Sequence, residues 1–275
     1  MIFNPPENVA ELTRLSPFER LPDGRPRVPD VLLERMTLVT NDEAWSVLER
    51  RHGYHFQFAG GWPVHLHPDR VLVGRAVTAR FVPLRPDLND AVNARGAAEG
   101  RTGQRHNTWV IDTLQPGDVL VVDLFGKVRD GTFMGDSLAT AIRARTRTGV
   151  VIEGGIRDFL RIEELADFPV YARGVDPSAI ADVTLAGVNV PIRVGAATVL
   201  PGDVVLGTRA GVTFVPPRLA QEVLEYSEDV RERDVFGKQR LAEGRYTSAQ
   251  IDVPTWEPTI EADYRAWRAA GRPGP

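Results

Sequence analysis

The sequence predicts an α/β protein built on a mixed sheet, with an N-terminal extension and a C-terminal helical tail. Between residues 71 and 225, short Val-rich runs alternate with segments of helical periodicity. Within that region, residues 119–122 are continuously apolar, the pattern of a strand covered on both faces. A second such run, 150–153, leads into Gly154-Gly155 and then a helical pattern, which reads as a strand-to-helix passage.

Taken in order, residues 1–70 are proline-rich and irregular, with one helical stretch over 31–51, and are expected to pack on the core as an extension. The core, 71–225, opens with a long strand over 71–81 that contains Gly74. A strand follows at 118–123. A helix is expected over 137–147, where Leu138, Ala141, Ile142 and Ala144 share one side and Gly149 stands just past the end. After the strand at 150–153, the next helix spans 157–166 and is closed by Pro169. Short strands are expected at 170–172, 191–195, 204–207 and 212–215, and a helix at 216–230. Residues 226–275 are charged and helical at first, then loop-like, and are expected at a subunit interface. Trp256, Tyr264 and Trp267 there read as a packed helix face, or alternatively as a lid over the substrate. The runs Gln115-Pro116-Gly117-Asp118-Val119 and Leu200-Pro201-Gly202-Asp203-Val204 echo one another, each a Pro-Gly turn launching a strand.

Composition narrows the function. A net charge of −4 gives no bulk field to attract nucleic acid or an anionic membrane. Arg143, Arg145 and Arg147 read as a solvated helix face, so nucleic acid is not expected as a partner. With no cysteine, disulfides, thiolate nucleophiles and Cys-based zinc sites are excluded. Neither a basic leader nor a run of about 20 apolar residues is present, so the expectation is a cytoplasmic protein without a membrane partner.

The stretch that carries chemistry is Gly135-Asp136-Ser137-Leu138-Ala139 followed by 150–158, Val-Val-Ile-Glu-Gly-Gly-Ile-Arg-Asp. Each half is expected to end at a helix N-terminus, where unpaired amides and the dipole favour a carboxylate. Arg157 has the planar fork to clamp a carboxylate or enolate oxygen. Asp158 offers a hard oxygen to Mg²⁺ or Mn²⁺. Gly-Gly-x-Arg-Asp is not a specific signature, however, and a helix-starting Asp beside a surface-paired Arg reads the same way. His52, His55, His65 and His67 raise the thought of zinc, with ordinary surface roles as the alternative. His106 and Asn107 stand just before the motif as pocket candidates. Asp123, Lys127 and Glu153 read as strand-end or supporting residues. There is no Gly-x-Gly-x-x-Gly, no Walker lysine and no glycine-rich S-adenosylmethionine loop.

The run 112–217 resembles the RraA-like family, which includes the 4-hydroxy-4-methyl-2-oxoglutarate aldolases. The matching pieces are QPGDVLVVD (115–123), GDSLA (135–139), TGVVIEGGIRD (148–158), FPVYARGV (168–175), VPIRVG (190–195), Pro201-Gly202-Asp203 and GVTFVP (211–216). GRAVT (74–78) extends the match upstream. The resemblance implies an αβ sandwich of the swivelling phosphohistidine-domain type, assembled as a homotrimer or homohexamer with its site at a subunit interface. It implies that Asp158 holds Mg²⁺ or Mn²⁺ directly and Asp136 through water. Gly135, the Ser137 and Leu138 amides and Arg157 would then take the carboxylate and enolate of a small 2-oxo acid. An acid from a neighbouring subunit's tail would reach the metal waters. Asp234 is the first candidate and Glu232 the second, although the family carries Glu there and Asp is one methylene shorter.

The activity implied is a class II, metal-dependent carbon–carbon lyase. It would cleave a 4-hydroxy-2-oxo acid to pyruvate through an enolate, with oxaloacetate decarboxylation by the same enolate. No lysine stands in the motif to form a Schiff base. Two alternatives remain: a non-enzymatic regulator of an RNA-degrading enzyme, whose family representatives lack the Asp after the Arg, and a lyase or hydratase acting on a sugar-derived keto acid.

Overall fold

The computed structural model describes residues 2–101 and 105–271, and the chain divides into two compact units, Met1–Val223 and Leu224–Pro275. The first unit carries eleven strands among the described residues. Nine form one mixed sheet: β1 (Phe58–Ala59), β2 (Val64–Leu66), β3 (Leu72–Pro83), β4 (Asp118–Asp123), β5 (Val150–Ile156), β6 (Val170–Val175), β7 (Val183–Val188), β10 (Val204–Thr208) and β11 (Gly211–Val215). The other two, β8 (Ile192–Val194) and β9 (Ala197–Val199), make a separate hairpin. The main order is β1-β11-β10-β3-β4-β5-β6-β2. The central strands β3, β4, β5 and β6 run parallel, and the flanking pairs are antiparallel.

The apolar runs are buried on both faces, as their composition demands. On β4, Leu120 and Val122 enter one core layer, while Val119 and Val121 enter the other. On β5, Val150 and Ile152 join the first layer and Val151 the second. The helices of this unit are α1 (Pro6–Leu12), α2 (Asp30–Met36), α3 (Asn41–Trp45) with a π-helical continuation over Ser46–Arg51, α4 (Pro86–Ala98), α5 (His106–Ile111), α6 (Asp136–Thr146) and α7 (Phe159–Glu163). Thr40 opens α3 with a capping box closed by Glu43.

Several expectations change here. The region 1–70 supplies two strands of the main sheet, β1 and β2, each too short for a period-2 pattern to show. The helix α6 stops at Thr146, within one residue of the expected end, with Arg147 rather than Gly149 as its left-handed cap at φ +60°. Gly149 instead meets a neighbour: a Cβ there would lie 2.1 Å from the Pro169 carbonyl oxygen. Gly154-Gly155 is not a turn either. The strand runs on through both to Ile156, because Gly155 and Ile156 pair with Gly174 and Val175 of β6 and a parallel bridge joins Gly155 to Thr132. That leaves Arg157 outside any helix, and α7 begins only at Phe159.

The echo between the two Pro-Gly-Asp runs is shared turn chemistry. Gln115 N–H donates to Asp118 Oδ2 at 2.8 Å, and Leu200 N–H donates to Asp203 Oδ2 at 2.8 Å. Gly117 and Gly202 take φ of +81° and +88°, open to glycine at no steric cost. Both turns land beside β3, one launching β4 on one edge and the other β10 on the opposite edge. Among the described residues, only Asp118 of the two has a counter-ion. Arg25, itself buried, grips Asp118 through Nη1–Oδ1 (2.7 Å) and Nη2–Oδ2 (3.2 Å), and also meets Asp23.

In the second unit, α8 (Ala220–Ala242), which begins in the first, is followed by α9 (Ser248–Ile251) and α10 (Pro258–Ala269). Phe236, Trp256, Ile260, Tyr264 and Trp267 form a satellite core within this unit. Arg233 lies 3.9 Å over the Trp256 ring and pairs with Glu261 at 2.8 Å, and Arg240 pairs with Asp263 at 2.9 Å. The tail aromatics are therefore buried against one another, which argues against their use as a lid. Among the described residues, no helix is long and apolar enough to cross a membrane.

Candidate active site

The site residues converge at the carboxyl end of β5, where α/β sheets collect ligands. Three backbone bonds lash the segment before α6 to that end. Phe133 N–H donates to Gly155 O (2.9 Å), Gly155 N–H to Gly131 O (3.0 Å), and Arg157 N–H to Met134 O (3.0 Å). From behind, buried Asn107 on α5 donates its Nδ2 to Phe133 O at 2.7 Å. Its neighbour His106 is buried as well, and burial lowers its pKa. Leu185 N–H approaches His106 Nδ1 at 3.3 Å, so Nε2 carries the proton facing Asn93 Oδ1 (2.9 Å). The two residues support the site from behind.

This lashing sets Gly135 directly against Asp158. A Cβ at Gly135 would lie 2.2 Å from Asp158 Oδ2 and 3.0 Å from Arg157 Nε, so the carboxylate occupies the space that any side chain at 135 would fill. Asp158 carries the turn out of β5 at φ +54°, a left-handed conformation that Asp tolerates better than most residues. Although it stands at the N-cap of α7, its side chain makes no capping bond. Arg157 Nε lies 3.6 Å from Asp158 Oδ2, and both side chains are more than a third exposed. The result is a half-open carboxylate beside a guanidinium, held in place by the backbone.

Next to Gly135 stands the first turn of α6. Asp136 Oδ1 accepts from Ser137 N–H at 2.7 Å, so that amide is engaged by the neighbouring side chain. Leu138 N–H belongs to the same turn, where the helix itself provides no acceptor. The donor set fits a hard divalent cation. Asp158 is an uncommitted carboxylate in a cradle that only glycine permits, and Mg²⁺ takes one or two carboxylates and keeps several waters. Among the described residues, no three His, Asp or Glu side chains form a protein-only metal cage.

The histidine cluster does not assemble. His52 faces Glu222 (2.8 Å), His55 faces Glu49 (2.8 Å), and His65 stacks on Tyr171 at 4.2 Å between centroids. Asp123 accepts from Phe125 N–H, Lys127 Nζ donates to Ala181 O, and Glu153 pairs with Arg173, so all three hold turns and strands. In the second unit, Asp234 is more than half exposed and pairs with Lys238 one turn on, whereas Glu232 is largely buried against Arg268. Asn107, named with His106 as a pocket candidate, acts through the Phe133 carbonyl, a contact to which nothing in the sequence ties it.

The parallel strands at the centre of the mixed sheet thus bring a carboxylate, an arginine and a helix N-terminus together at their carboxyl ends. The RraA-like family model, described as Aldolase/RraA, matches residues 43–214, and the chain belongs to that family. It is 31% identical over 126 residues to a putative 4-hydroxy-4-methyl-2-oxoglutarate aldolase of Halalkalibacterium halodurans, covering 44% of this chain and 59% of that one. To the 4-hydroxy-4-methyl-2-oxoglutarate aldolase of Thermus thermophilus it is 32% identical over 109 residues, covering 39% and 64%. The matches thus span about 60% of the length of these relatives. Among solved structures it is similar to RraAS2 of Streptomyces coelicolor, described as an unusual member of the RNase ES inhibitor RraA protein family. The TM-score is 0.65 at 26% identity, over 82% of this chain and all of that one.

Proposed function

We propose that the protein is a divalent-metal-dependent carbon–carbon lyase. It cleaves a 4-hydroxy-2-oxo acid to pyruvate or a related 2-oxo acid, and decarboxylates oxaloacetate through the same enolate. The observation that carries this reading is the Asp158 carboxylate seated on the bare Cα of Gly135, uncapped and beside Arg157. In this reading Asp158 holds Mg²⁺ or Mn²⁺ directly, and Asp136 and Asp234 of the partner subunit do so through water, in a homotrimer or homohexamer. Glu232 is the lesser candidate because it is largely buried against Arg268, whereas Asp234 is more than half exposed. The metal, when bound, supplies Lewis-acid stabilisation of developing negative charge on the substrate.

The chain's own residues do the rest. The first-turn amides of α6, at Ser137 and Leu138, bind the C1 carboxylate. The 4-hydroxyl proton leaves to a general base, the C3–C4 bond breaks, and its electron pair forms the enolate of pyruvate. Arg157 stabilises the oxyanion at C2, and protonation at C3 completes the product.

The test is pyruvate release from 4-hydroxy-4-methyl-2-oxoglutarate and from oxaloacetate, with Mg²⁺ or a chelator, for wild type and Asp158→Ala. Turnover lost on chelation and in the variant is the expected result. An Asp158→Ala protein that retains full activity overturns the assignment. Absence of both turnover and metal binding by the wild type favours the regulator reading.

A further inference from the structure

A small cavity of about 110 Å³ lies at the corner where α4, α5 and β7 meet, and among the described residues it shares no lining side chain with the Gly135–Asp158 site. Its polar lining comes from Asn89 and Asn93 on α4, from Arg105 just before α5, and from His106 and Asn107. Among the described residues, no carboxylate lines it.

The surrounding hydrogen bonds fix which way the α4 amides face. Leu185 N–H donates to His106 Nδ1, so the ring proton is on Nε2. Nε2 stands 2.9 Å from Asn93 and, being a donor, meets its carbonyl oxygen Oδ1. Asn89, one turn earlier on the same helix face, accepts from the Thr184 hydroxyl at 3.2 Å through its own Oδ1. Both side chains thus spend their acceptor on the protein, and neither Nδ2 has a protein acceptor among the described residues. His106 and Thr184 are buried, whereas Asn93 is exposed and Asn89 half-exposed. The amide nitrogens, opposite those inward bonds, therefore turn to the accessible side of the cavity. Arg105 is exposed, and its guanidinium has no partner among the described residues. Ala181 lines the cavity too, but its carbonyl oxygen already accepts from Lys127 Nζ at 2.8 Å, which brings a second cation near the rim.

We propose that this cavity binds a short-chain monocarboxylate, separately from Asp158. The Asn89 and Asn93 amides and the Arg105 guanidinium hold the two oxygens, and the short chain lies on the apolar wall of Phe81, Ile180 and Val183. A carboxylate is acceptor-only and planar, so it matches a guanidinium fork and two amide donors that have no acceptor of their own. Volume limits the rest of the ligand: at about 30 Å³ per water, the space takes only a handful of heavy atoms.

The experiment is calorimetric titration of the full-length protein, stripped of metal, with propanoate and with its neutral isostere propanamide near neutral pH. Propanoate is expected to bind with a Kd on the order of 1 mM, shifting the side-chain amide NMR signals of Asn89 and Asn93, and propanamide is expected not to bind. Asn93→Asp keeps the oxygen that His106 Nε2–H needs and replaces the amide nitrogen by an anionic oxygen, and is expected to lose at least about tenfold in affinity. Arg105→Ala, at an exposed position, is expected to lose as much. Asp158→Ala is expected to bind propanoate as the wild type does, which separates this site from the proposed lyase centre. Absence of propanoate binding at about 10 mM, equal binding of propanamide, or unchanged binding by a folded Asn93→Asp protein overturns the proposal. Loss of binding in Asp158→Ala with retention in Asn93→Asp overturns it too, by moving the ligand to the other site.

Discussion

Single atoms decide the chemistry of this chain at two places. Gly135 is required because its missing Cβ is where the Asp158 carboxylate sits. Gly135→Ala is expected to leave circular dichroism and melting close to wild type while lowering kcat/KM for the proposed cleavage by about 10²-fold, the scale of an ångström-sized displacement of a reacting group. Divalent-metal affinity measured by calorimetry is expected to fall with it. Asp203 decides a pH dependence instead. Its folded pKa of about 7 stands above its unfolded value, so between roughly pH 4 and 7 the native state holds the extra proton. This group's penalty is absent at low pH and is fully imposed once pH exceeds 7. Asp203→Asn is therefore expected to stabilise the protein above pH 7, on the order of 1–3 kcal/mol, and to change little at pH 4. Urea denaturation at the two pH values measures the difference, and an equal effect at both would refute the sign.

At the scale of elements, the candidate site is a set of strand and helix ends held in register by backbone bonds. Asn107 on α5 completes that set through the Phe133 carbonyl. Asn107→Ala leaves this buried acceptor unpaired, and a loss of about 1–3 kcal/mol is expected in denaturant titration. A fall in kcat larger than any rise in KM would show that the Phe133–Gly135 segment has loosened. Much of this architecture was legible in the sequence. The run 118–123 reads as a buried strand and is one, because four consecutive apolar residues have no other place to go. The approach of Gly135 to the Arg157-Asp158 pair was legible only through the family resemblance. The strand ends were not: Gly154-Gly155 looks like a turn in isolation, and long-range pairing with β6 on one side and Thr132 on the other keeps it extended. β1 and β2 were hidden by their length, and Asn107 by a bond to a residue 26 positions away.

At the scale of the whole molecule, a segment before the sheet is tied into its interior. Arg25 reaches Asp118 from 93 residues upstream and is 1% exposed. Removing it leaves a buried carboxylate with only a backbone amide, the condition in which Asp203 already stands. Arg25→Ala is expected to destabilise the first unit by about 3–5 kcal/mol, as read by denaturant titration. Arg75 adds a second tether, since its guanidinium bonds the Val28 carbonyl and Asp30.

The place of β3 at the centre of the sheet bears on how the protein is made. Its neighbours along one edge, β7 and β10, come from far downstream, and β10 in turn carries β11 and β1. While the chain leaves the ribosome, β3 emerges early and waits with an unpaired apolar edge until almost the whole first unit has been synthesised. Sheets that depend on such distant pairings fold slowly, and exposed edges recruit other chains in the interval. Nascent chains arrested before residue 204 are expected to stay protease-sensitive and to need a chaperone, and those arrested well beyond 215 to become resistant.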